Sequence, residues 1–202
     1  MKKIITVQHT QSIHHTNGMV GSWTDWDLTD LGKEQAQKIG EKLAAEINGD
    51  KYIIYSSDLL RAKNTALIIG KSIGLEPLFK TVLRERNLGS AVGKSVQWLR
   101  QNMVCTEKTV DDKMFSDAES RRDVWKRLQD FYTEIMNNEH ENIIIVSHGD
   151  TLSIFNMMFL EMEIEALNKS ELFGLAGGVT FMTVREDGKH MIRRLSDMSY
   201  LI

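Results

Sequence analysis

Three short runs of aliphatic and β-branched residues, separated by segments with helical spacing, constrain the fold of this chain more than any other feature. The runs are KIITVQ at Lys3–Gln8, YIIY at Tyr52–Tyr55 and NIIIVS at Asn142–Ser147. Their length and apolar character predict strands that are buried on both faces. Strands that alternate with helices predict an α/β fold, with a single doubly wound, mostly parallel sheet between two layers of helices.

Apolar residues at helical spacing occupy the intervals between these runs. The first helix is predicted to follow Thr29, a good N-cap, and to end at Asn48 and Gly49. A later helix is predicted to open at the capping-box pair Ser116 and Glu119. The apolar positions of the four predicted long helices are Ala36, Ile39, Leu43 and Ile47; Ala62, Ala66, Ile69 and Ile73; Val124, Leu128, Phe131 and Ile135; and Leu152, Phe155, Phe159 and Met162.

Two further strands are predicted towards the end of the chain. They span Val179–Val184 and His190–Leu195, and an Asp-Gly turn signal at residues 187 and 188 joins them. The long stretch Leu83–Lys113 has no clean periodicity, so we expect a loop region that contains one short helix near Val96–Met103.

Composition limits the partners and the compartment. The 202 residues include 25 basic and 28 acidic side chains, a net charge of −3, and 42% of them are hydrophobic. We therefore expect one globular domain over residues 1–202, with no nucleic acid or membrane partner. The single cysteine, Cys105, cannot form an intrachain disulfide, and no apolar run approaches the roughly 18 residues of a membrane span, which favours a cytoplasmic protein.

Chemically useful side chains follow the predicted strands. In a doubly wound sheet, ligands bind at the carboxyl ends of the strands. His9 follows the first strand, residues 56–61 follow the second, and His148 follows the third. Arg61 lies in the first turn of its helix, where free backbone amides favour an anion, and a guanidinium matches phosphoryl oxygens in bidentate geometry. The residues thus predict a site for a phosphoryl group.

Several short motifs occur in a characteristic order along the chain. They are Gln8-His9-Thr10, Asp27-Leu28-Thr29, Ser57-Asp58-Leu59-Leu60-Arg61-Ala62 with Thr65-Ala66, Leu83-Arg84-Glu85 with Gly89, and Val146-Ser147-His148-Gly149. In this order and spacing the sequence resembles the histidine phosphatase superfamily, the group that includes cofactor-dependent phosphoglycerate mutases and many small phosphatases. The resemblance covers most of the chain. It implies the three-layer fold of the phosphoglycerate mutases and a phosphatase or mutase activity.

The resemblance also implies a role for individual residues. His9 would be the nucleophile that forms a phosphohistidine, while Arg61 and His148 would hold the phosphoryl oxygens. Glu85 would be the general acid that protonates the leaving group. Further phosphate contacts are expected from Gln8, His15, Gly21 and Ser22. This chemistry requires no metal and no organic cofactor, and the expected partner is a small phosphorylated metabolite.

The first motif departs from the family pattern. The family has Arg-His-Gly where this chain has Gln8, His9 and Thr10. One charge-assisted contact to phosphate is therefore replaced by at best a neutral hydrogen bond, and a β-branched residue stands where glycine could take a positive φ. The nearby His14 and His15 could supply replacement donors, and positive charge at slightly acidic pH.

Two assignments have ordinary structural alternatives. Glu85 lies between Arg84 and Arg86, a pattern equally typical of a charged surface cluster. The adjacent His14 and His15 suggest metal binding, but neither a close carboxylate nor a cysteine pair in the sequence completes a ligand set. We therefore expect no metal site.

Three functions are compatible with these motifs. The first is a phosphomonoester hydrolase, and the second is a phosphoglycerate mutase, which transfers the phosphoryl group between two hydroxyls and excludes water. The hydrolase is favoured because Leu88–Val110 offers only three basic residues, Lys94, Arg100 and Lys108, where such mutases place a long basic insertion. The third is a weakly active or inactive domain that binds a phosphorylated ligand, its catalysis lost with the arginine at position 8.

Overall fold

The computed structural model describes residues 1–47, 50–138 and 142–202. Its centre is one sheet of six strands, in the order β3-β2-β4-β1-β5-β6. The strands, numbered along the chain, are β1 (Lys2–Gln8), β2 (Ile53–Ser56), β3 (Leu78–Phe79), β4 (Asn142–Ser147), β5 (Val179–Val184) and β6 (His190–Asp197). The first four are parallel, and β5 and β6 complete the sheet as an antiparallel hairpin. The predicted α/β class with a mostly parallel sheet is confirmed.

Helices cover both faces of this sheet. They are α1 (His14–Asn17), α2 (Asp30–Glu46), α3 (Leu60–Ile73), α4 (Val96–Asn102), α5 (Arg121–Asn137) and α6 (Gly149–Phe159). Within the described ranges, none of the helices combines the length and the apolar character that a bilayer crossing requires.

The two apolar cores that flank the sheet follow the two-residue period of the buried strands. Ile4 and Ile145 pack with the apolar residues of α5 and α6, among them Phe155. On the opposite face, Ile5 and Ile144 pack with those of α2 and α3. Because successive side chains of a strand point to opposite faces, an uninterrupted aliphatic run serves both cores at once. Each fully buried aliphatic side chain contributes about 1.5–3 kcal/mol.

The start of α5 differs from the prediction at Ser116 and Glu119. The capping box is formed one turn later, where the Ser120 hydroxyl accepts from the Asp123 amide and the Asp123 carboxylate accepts from the Ser120 amide. Glu119 instead pairs with Arg127 at 2.9 Å. The carboxylate that the pattern assigned to the cap is therefore engaged in a tertiary contact.

Three smaller points concern the ends of elements. The edge strand β3 was not predicted, because its two exposed residues leave no pattern. Met162 lies beyond the end of α6 and is 38% exposed, so its assignment to the helix was wrong. The predicted helix end at Asn48 and Gly49 falls outside the described residues.

Candidate active site

The carboxyl ends of three parallel strands bring the predicted residues to one edge of the sheet. Gln8 at the end of β1 lies opposite Ser147 at the end of β4, and the His9 amide donates to the Ser147 carbonyl at 2.9 Å. Ser57 follows β2 on the other side of β4. His9, Ser57 and His148 therefore leave the sheet side by side, since parallel strands end at the same edge.

His9 presents one ring nitrogen to the site. It is buried, and its Nδ1 lies 2.9 Å from the Thr10 carbonyl, which can only accept, so Nδ1 carries the proton. The lone pair is then on Nε2, where it accepts a hydrogen bond from the Arg61 Nε at 3.2 Å. Burial, and next the charge of Arg61, lower the pKa of His9 well below its usual value. The imidazole is thus neutral, as a nucleophile must be.

Arg61 is a buried cation with neutral partners. It is 1% exposed, and its terminal nitrogens donate to the carbonyls of Thr24 and Ser22 at 2.7 and 2.8 Å. In the part of the chain that the structure describes, no carboxylate forms a salt bridge with it. Burial lowers its pKa to about 10, which leaves it charged at neutral pH. The charges of Glu85 and Asp25 oppose this shift from a distance. A buried cation with no carboxylate in direct contact is costly, so the site favours an anion.

The ring of His148 packs edge-on against the ring of His9. The two ring centroids are 5.1 Å apart, and His148 is fully buried. Its Nε2 lies 2.8 Å from the Ser57 hydroxyl, whereas its Nδ1 is buried without a partner in the described structure. When the hydroxyl donates to Nε2, Nδ1 carries a proton and becomes a donor that needs an acceptor.

Glu85 is held by the start of α6. Its Oε1 accepts from the Arg86 amide at 2.9 Å and from the Thr151 amide at 3.2 Å. Burial, followed by the negative charge of Asp150, raises the pKa of this carboxyl group. A raised pKa favours the protonated carboxyl group, which is the state that a general acid requires.

The two arginines beside Glu85 form their ion pairs with other carboxylates. Arg84 makes a bidentate pair with Asp58, with bonds of 2.8 and 2.6 Å. Arg86 is buried between Glu107 at 2.6 Å and Asp150 at 2.9 Å. The alternative of a surface charge cluster is thus wrong for this segment, because the three side chains enter separate contacts.

Residues distant in sequence hold the acid loop, which we define as residues 83–89. Arg127 of α5 donates to the Arg84 carbonyl at 3.1 Å. The Ser22 hydroxyl donates to the Arg86 carbonyl and accepts from the Leu88 amide, each at 2.9 Å. The backbone of Ser22 has a φ of +38°, a value that residues other than glycine rarely adopt. The sequence around Glu85 did not predict that Arg127 and Ser22 bind this loop. The predicted contact of Ser22 with phosphate stays a prediction.

These groups surround a cavity of about 260 Å³. His148 is not among the residues that line it. The amide of Gln8 reaches the first turn of α6, where a Cβ on Gly149 would meet its Nε2 at 3.4 Å. All the other predicted site residues line the cavity. Its lining is Gln8, His9, His14, His15, Gly21, Ser22, Arg61, Glu85, Arg86, Leu88, Gly149, Asp150 and Phe173.

Thr10 fits the backbone at its position, and the neighbouring His14 does not replace the charge of the arginine that the family has at position 8. Thr10 lies outside the left-handed region, and its hydroxyl bonds to the Gly32 carbonyl at 2.7 Å. Burial, and then the charges of His15 and Arg61, lower the pKa of His14 to about 3, and burial also lowers the pKa of His15. The hypothesis that His14 supplies positive charge at slightly acidic pH is therefore wrong for the free protein.

Comparisons with known proteins identify the family of this chain. The model of the histidine phosphatase superfamily (branch 1) matches residues 4–197. The chain is 32% identical to "Putative phosphoserine phosphatase 2" of Hydrogenobacter thermophilus over 161 residues, 75% of each chain. It is 29% identical to a 2,3-bisphosphoglycerate-dependent phosphoglycerate mutase of Bartonella tribocorum, over 88% of this chain and 89% of the relative.

The solved structures extend the likeness to the fold. The native structure of mycobacterial glucosyl-3-phosphoglycerate phosphatase superposes with a TM-score of 0.82, over 97% of this chain and 99% of that one, at 20% identity. At this identity the likeness concerns the fold alone. With the match over nearly the whole length, the chain belongs to the histidine phosphatase superfamily, an enzyme family. Its relatives carry the names of phosphatases and of mutases.

Proposed function

We propose that this protein is a phosphomonoester hydrolase that acts through a phosphohistidine on His9. The observation that carries the proposal is the arrangement of Arg61. Its buried guanidinium touches His9 Nε2 at 3.2 Å and has no carboxylate partner among the described residues. A phosphoryl group on His9 would supply the missing negative charge, and its oxygens would meet both the guanidinium and His148.

In the first step, the Arg61 Nε moves from His9 Nε2 to a phosphoryl oxygen. The freed lone pair of Nε2 attacks phosphorus, and the bond from phosphorus to the ester oxygen breaks. Glu85 gives its proton to the departing alkoxide, which leaves as a neutral alcohol. The bond from His9 Nδ1–H to the Thr10 carbonyl holds the ring in the reactive tautomer. Arg61 and His148 stabilise the charge on the non-bridging oxygens.

In the second step, water attacks the phosphohistidine. Glu85, now a carboxylate, takes a proton from the water, the bond between phosphorus and Nε2 breaks, and inorganic phosphate leaves. The cycle returns His9 neutral and Glu85 protonated. The proposal is supported by the position of His9, Arg61 and Glu85 in the lining of one cavity.

The charge of the cavity favours a hydrolase of small monophosphates over a mutase. Among the residues that line it, the cations are Arg61 and Arg86, and Arg86 is neutralised by Glu107 and Asp150. A bisphosphorylated sugar acid carries two phosphates and a carboxylate, which need more positive charge than one free guanidinium. The substrate we propose is a small metabolite with one phosphate ester.

The direct test is to trap the covalent intermediate. Wild-type protein mixed with ³²P-labelled substrate and quenched in alkali should carry label that is stable in base and released by acid, as expected of phosphohistidine. His9→Gln should carry none, and treatment with EDTA should not reduce turnover of the wild type. Label on the wild type that is released to a second phosphate acceptor, with no free phosphate, would favour the mutase.

No label and no turnover with any member of a panel of phosphorylated metabolites would overturn the proposal and favour the inactive binding domain. Label on His9→Gln equal to that on the wild type would also overturn the proposal, because the phosphoryl group would then be carried by another residue.

A pH profile tests the role of Asp150. Glu85 must be protonated for the first step, so activity on alkyl phosphates is lost as the pH rises through its pKa. Asp150 helps to raise that pKa. Asp150→Asn should therefore move the alkaline limb of kcat to lower pH.

The matched control for this profile is Glu107→Gln. Glu107 is the other carboxylate partner of Arg86, but its charge is not among those that shift the pKa of Glu85. Glu107→Gln should leave the limb in place. An equal shift in both variants would assign the effect to disturbance of Arg86.

Gln8→Arg tests the departure in the first motif. Gln8 lines the cavity beside the start of α6, and a guanidinium there restores the missing cation. We expect phosphate to inhibit about tenfold more strongly, the difference between a neutral and a charge-assisted hydrogen bond. Gln101→Arg, which adds the same charge on the exposed side of α4, is the control. Equal inhibition constants for the two variants would show that the corner beside Gln8 does not contact phosphate.

A further inference from the structure

Three histidines from two neighbouring segments come together in the lining of the cavity. His9 follows β1, and His14 and His15 open α1. Each offers one ring nitrogen within 4.8 Å of the other two. The ring centroids lie 4.0 Å apart for His14 and His15, 5.5 Å for His9 and His15, and 5.8 Å for His9 and His14. The sequence alone showed the adjacent pair, and the fold adds the third imidazole.

A hydrogen bond to Ser12 orients the His14 ring. Histidines that bind a metal are commonly oriented in the same way, by a partner on the ring nitrogen that does not bind the metal. The Ser12 hydroxyl donates to the Asp27 carbonyl at 2.8 Å, so it must accept from His14 Nδ1, which lies 3.0 Å away. His14 Nδ1 therefore carries the proton, and Nε2 keeps its lone pair.

Gly21 leaves room on the lone-pair side of His14. A Cβ at this position would lie 2.9 Å from His14 Nε2, too close for an unshifted ring. The absence of a side chain thus keeps this edge of the imidazole open. His9 shows the same arrangement, with Nδ1–H on the Thr10 carbonyl and the lone pair on Nε2. Two of the three rings therefore carry their lone pairs on Nε2.

We propose that His9, His14 and His15 bind a divalent transition-metal ion of the zinc type, and that the bound ion blocks phosphoryl transfer by occupying His9 Nε2. Three imidazoles suit Zn²⁺, Co²⁺ and Ni²⁺, with water in the remaining positions, whereas Mg²⁺ prefers oxygen ligands. Binding of the ion stands on the histidine cluster alone. The block on turnover rests on the proposed function.

Two contacts must change when the ion binds. The Arg61 Nε gives up its 3.2 Å bond to His9 Nε2, and its positive charge remains nearby. His15 Nδ1 now accepts from the Ser12 amide at 3.2 Å, so this exposed ring must turn to offer a lone pair. These costs make the site a reversible one that chelators empty, unlike a structural zinc site.

The experiment uses untagged protein and Co²⁺, whose visible spectrum reports its coordination. Titration should give one saturable absorption per chain, which Zn²⁺ displaces and excess Mg²⁺ does not. His14→Gln and His15→Gln should each weaken Co²⁺ binding by more than about tenfold, since even outer partners of metal-binding histidines contribute about 10- to 100-fold. His190→Gln, which removes a histidine outside the cluster, should bind as the wild type does.

The second measurement is inhibition of wild-type turnover. Zn²⁺ should inhibit over the concentration range in which it displaces Co²⁺, and EDTA should restore full activity. Should a variant fail to fold, X-ray absorption of the Co²⁺-loaded wild type counts the imidazole ligands directly, and fewer than three overturns the site.

The two halves fail separately. Co²⁺ binding that is absent, or equal in all variants, overturns the metal site whatever the activity. Saturated metal without loss of turnover overturns the block and leaves the site standing. A protein that binds Co²⁺ but hydrolyses no phosphate ester contradicts the proposed function, not the metal site.

Discussion

His9→Gln should reduce kcat for phosphate monoesters by at least about 10⁴-fold, because the variant has no nitrogen nucleophile to accept the phosphoryl group. Arg61 and His148 remain in place and can still bind phosphate, so substrate affinity should change far less than kcat. Steady-state assays of released phosphate, with inorganic phosphate as a competitive inhibitor, separate the two quantities. Unchanged thermal unfolding would confirm that the variant is folded.

His190→Gln is the matched control. His190 lies at the start of β6, and its ring nitrogen bonds to the Phe159 carbonyl, away from the cavity. Its replacement should leave kcat within about twofold of the wild type, as for a residue that contacts neither substrate nor reacting atoms. A His9→Gln variant that keeps more than about one hundredth of wild-type activity would rule out nucleophilic catalysis by His9.

Glu85→Gln should reduce kcat for an alkyl phosphate by about 10²- to 10⁴-fold, the usual contribution of a general acid. An alkoxide is a poor leaving group and needs the proton, whereas 4-nitrophenolate leaves without one. The same substitution removes the base that activates water in the second step. With 4-nitrophenyl phosphate, the variant should therefore release a rapid burst of nitrophenol and then turn over slowly, with phosphohistidine accumulating.

Stopped-flow absorbance measures the burst, and a rapid quench measures the accumulated phosphoenzyme. Glu107→Gln, which removes a carboxylate outside the proton-transfer path, should show neither effect. Equal losses for the alkyl and the aryl ester, with no burst, would mean that Glu85 positions Thr151 and the start of α6 and does not transfer a proton.

The parts of the fold that local patterns describe could be predicted. The bounds of β4 and β5 agree with the predicted runs at both ends, because each strand is a short run rich in apolar and β-branched residues whose burial follows from its own composition. The start of α5 could not be predicted in the same way. Ser116 with Glu119 and Ser120 with Asp123 are both reasonable caps, and the competing contact of Glu119 with Arg127 decides between them.

The acid loop shows why site chemistry needs the tertiary structure. A Glu between two arginines has no preferred role in the sequence. Asp150 of α6 raises the pKa of Glu85, and the Thr151 amide of α6 donates a hydrogen bond to its carboxylate. Arg84 and Arg86 form ion pairs with Asp58 and Asp150. None of these neighbours follows from the spacing around Glu85.

The sequence by itself determined the α/β class, the order of the buried strands along the chain and the placement of His9 and His148 after two of them. Strand burial follows from local composition, and parallel geometry follows from the alternation of strands with helices. Only the tertiary structure decided that Arg61 is buried among neutral carbonyls, that Glu85 has a raised pKa and that three imidazoles lie together in the lining of one cavity. Charge and proton affinity depend on burial and on neighbouring dipoles and charges, and folding brings these groups together from distant parts of the chain.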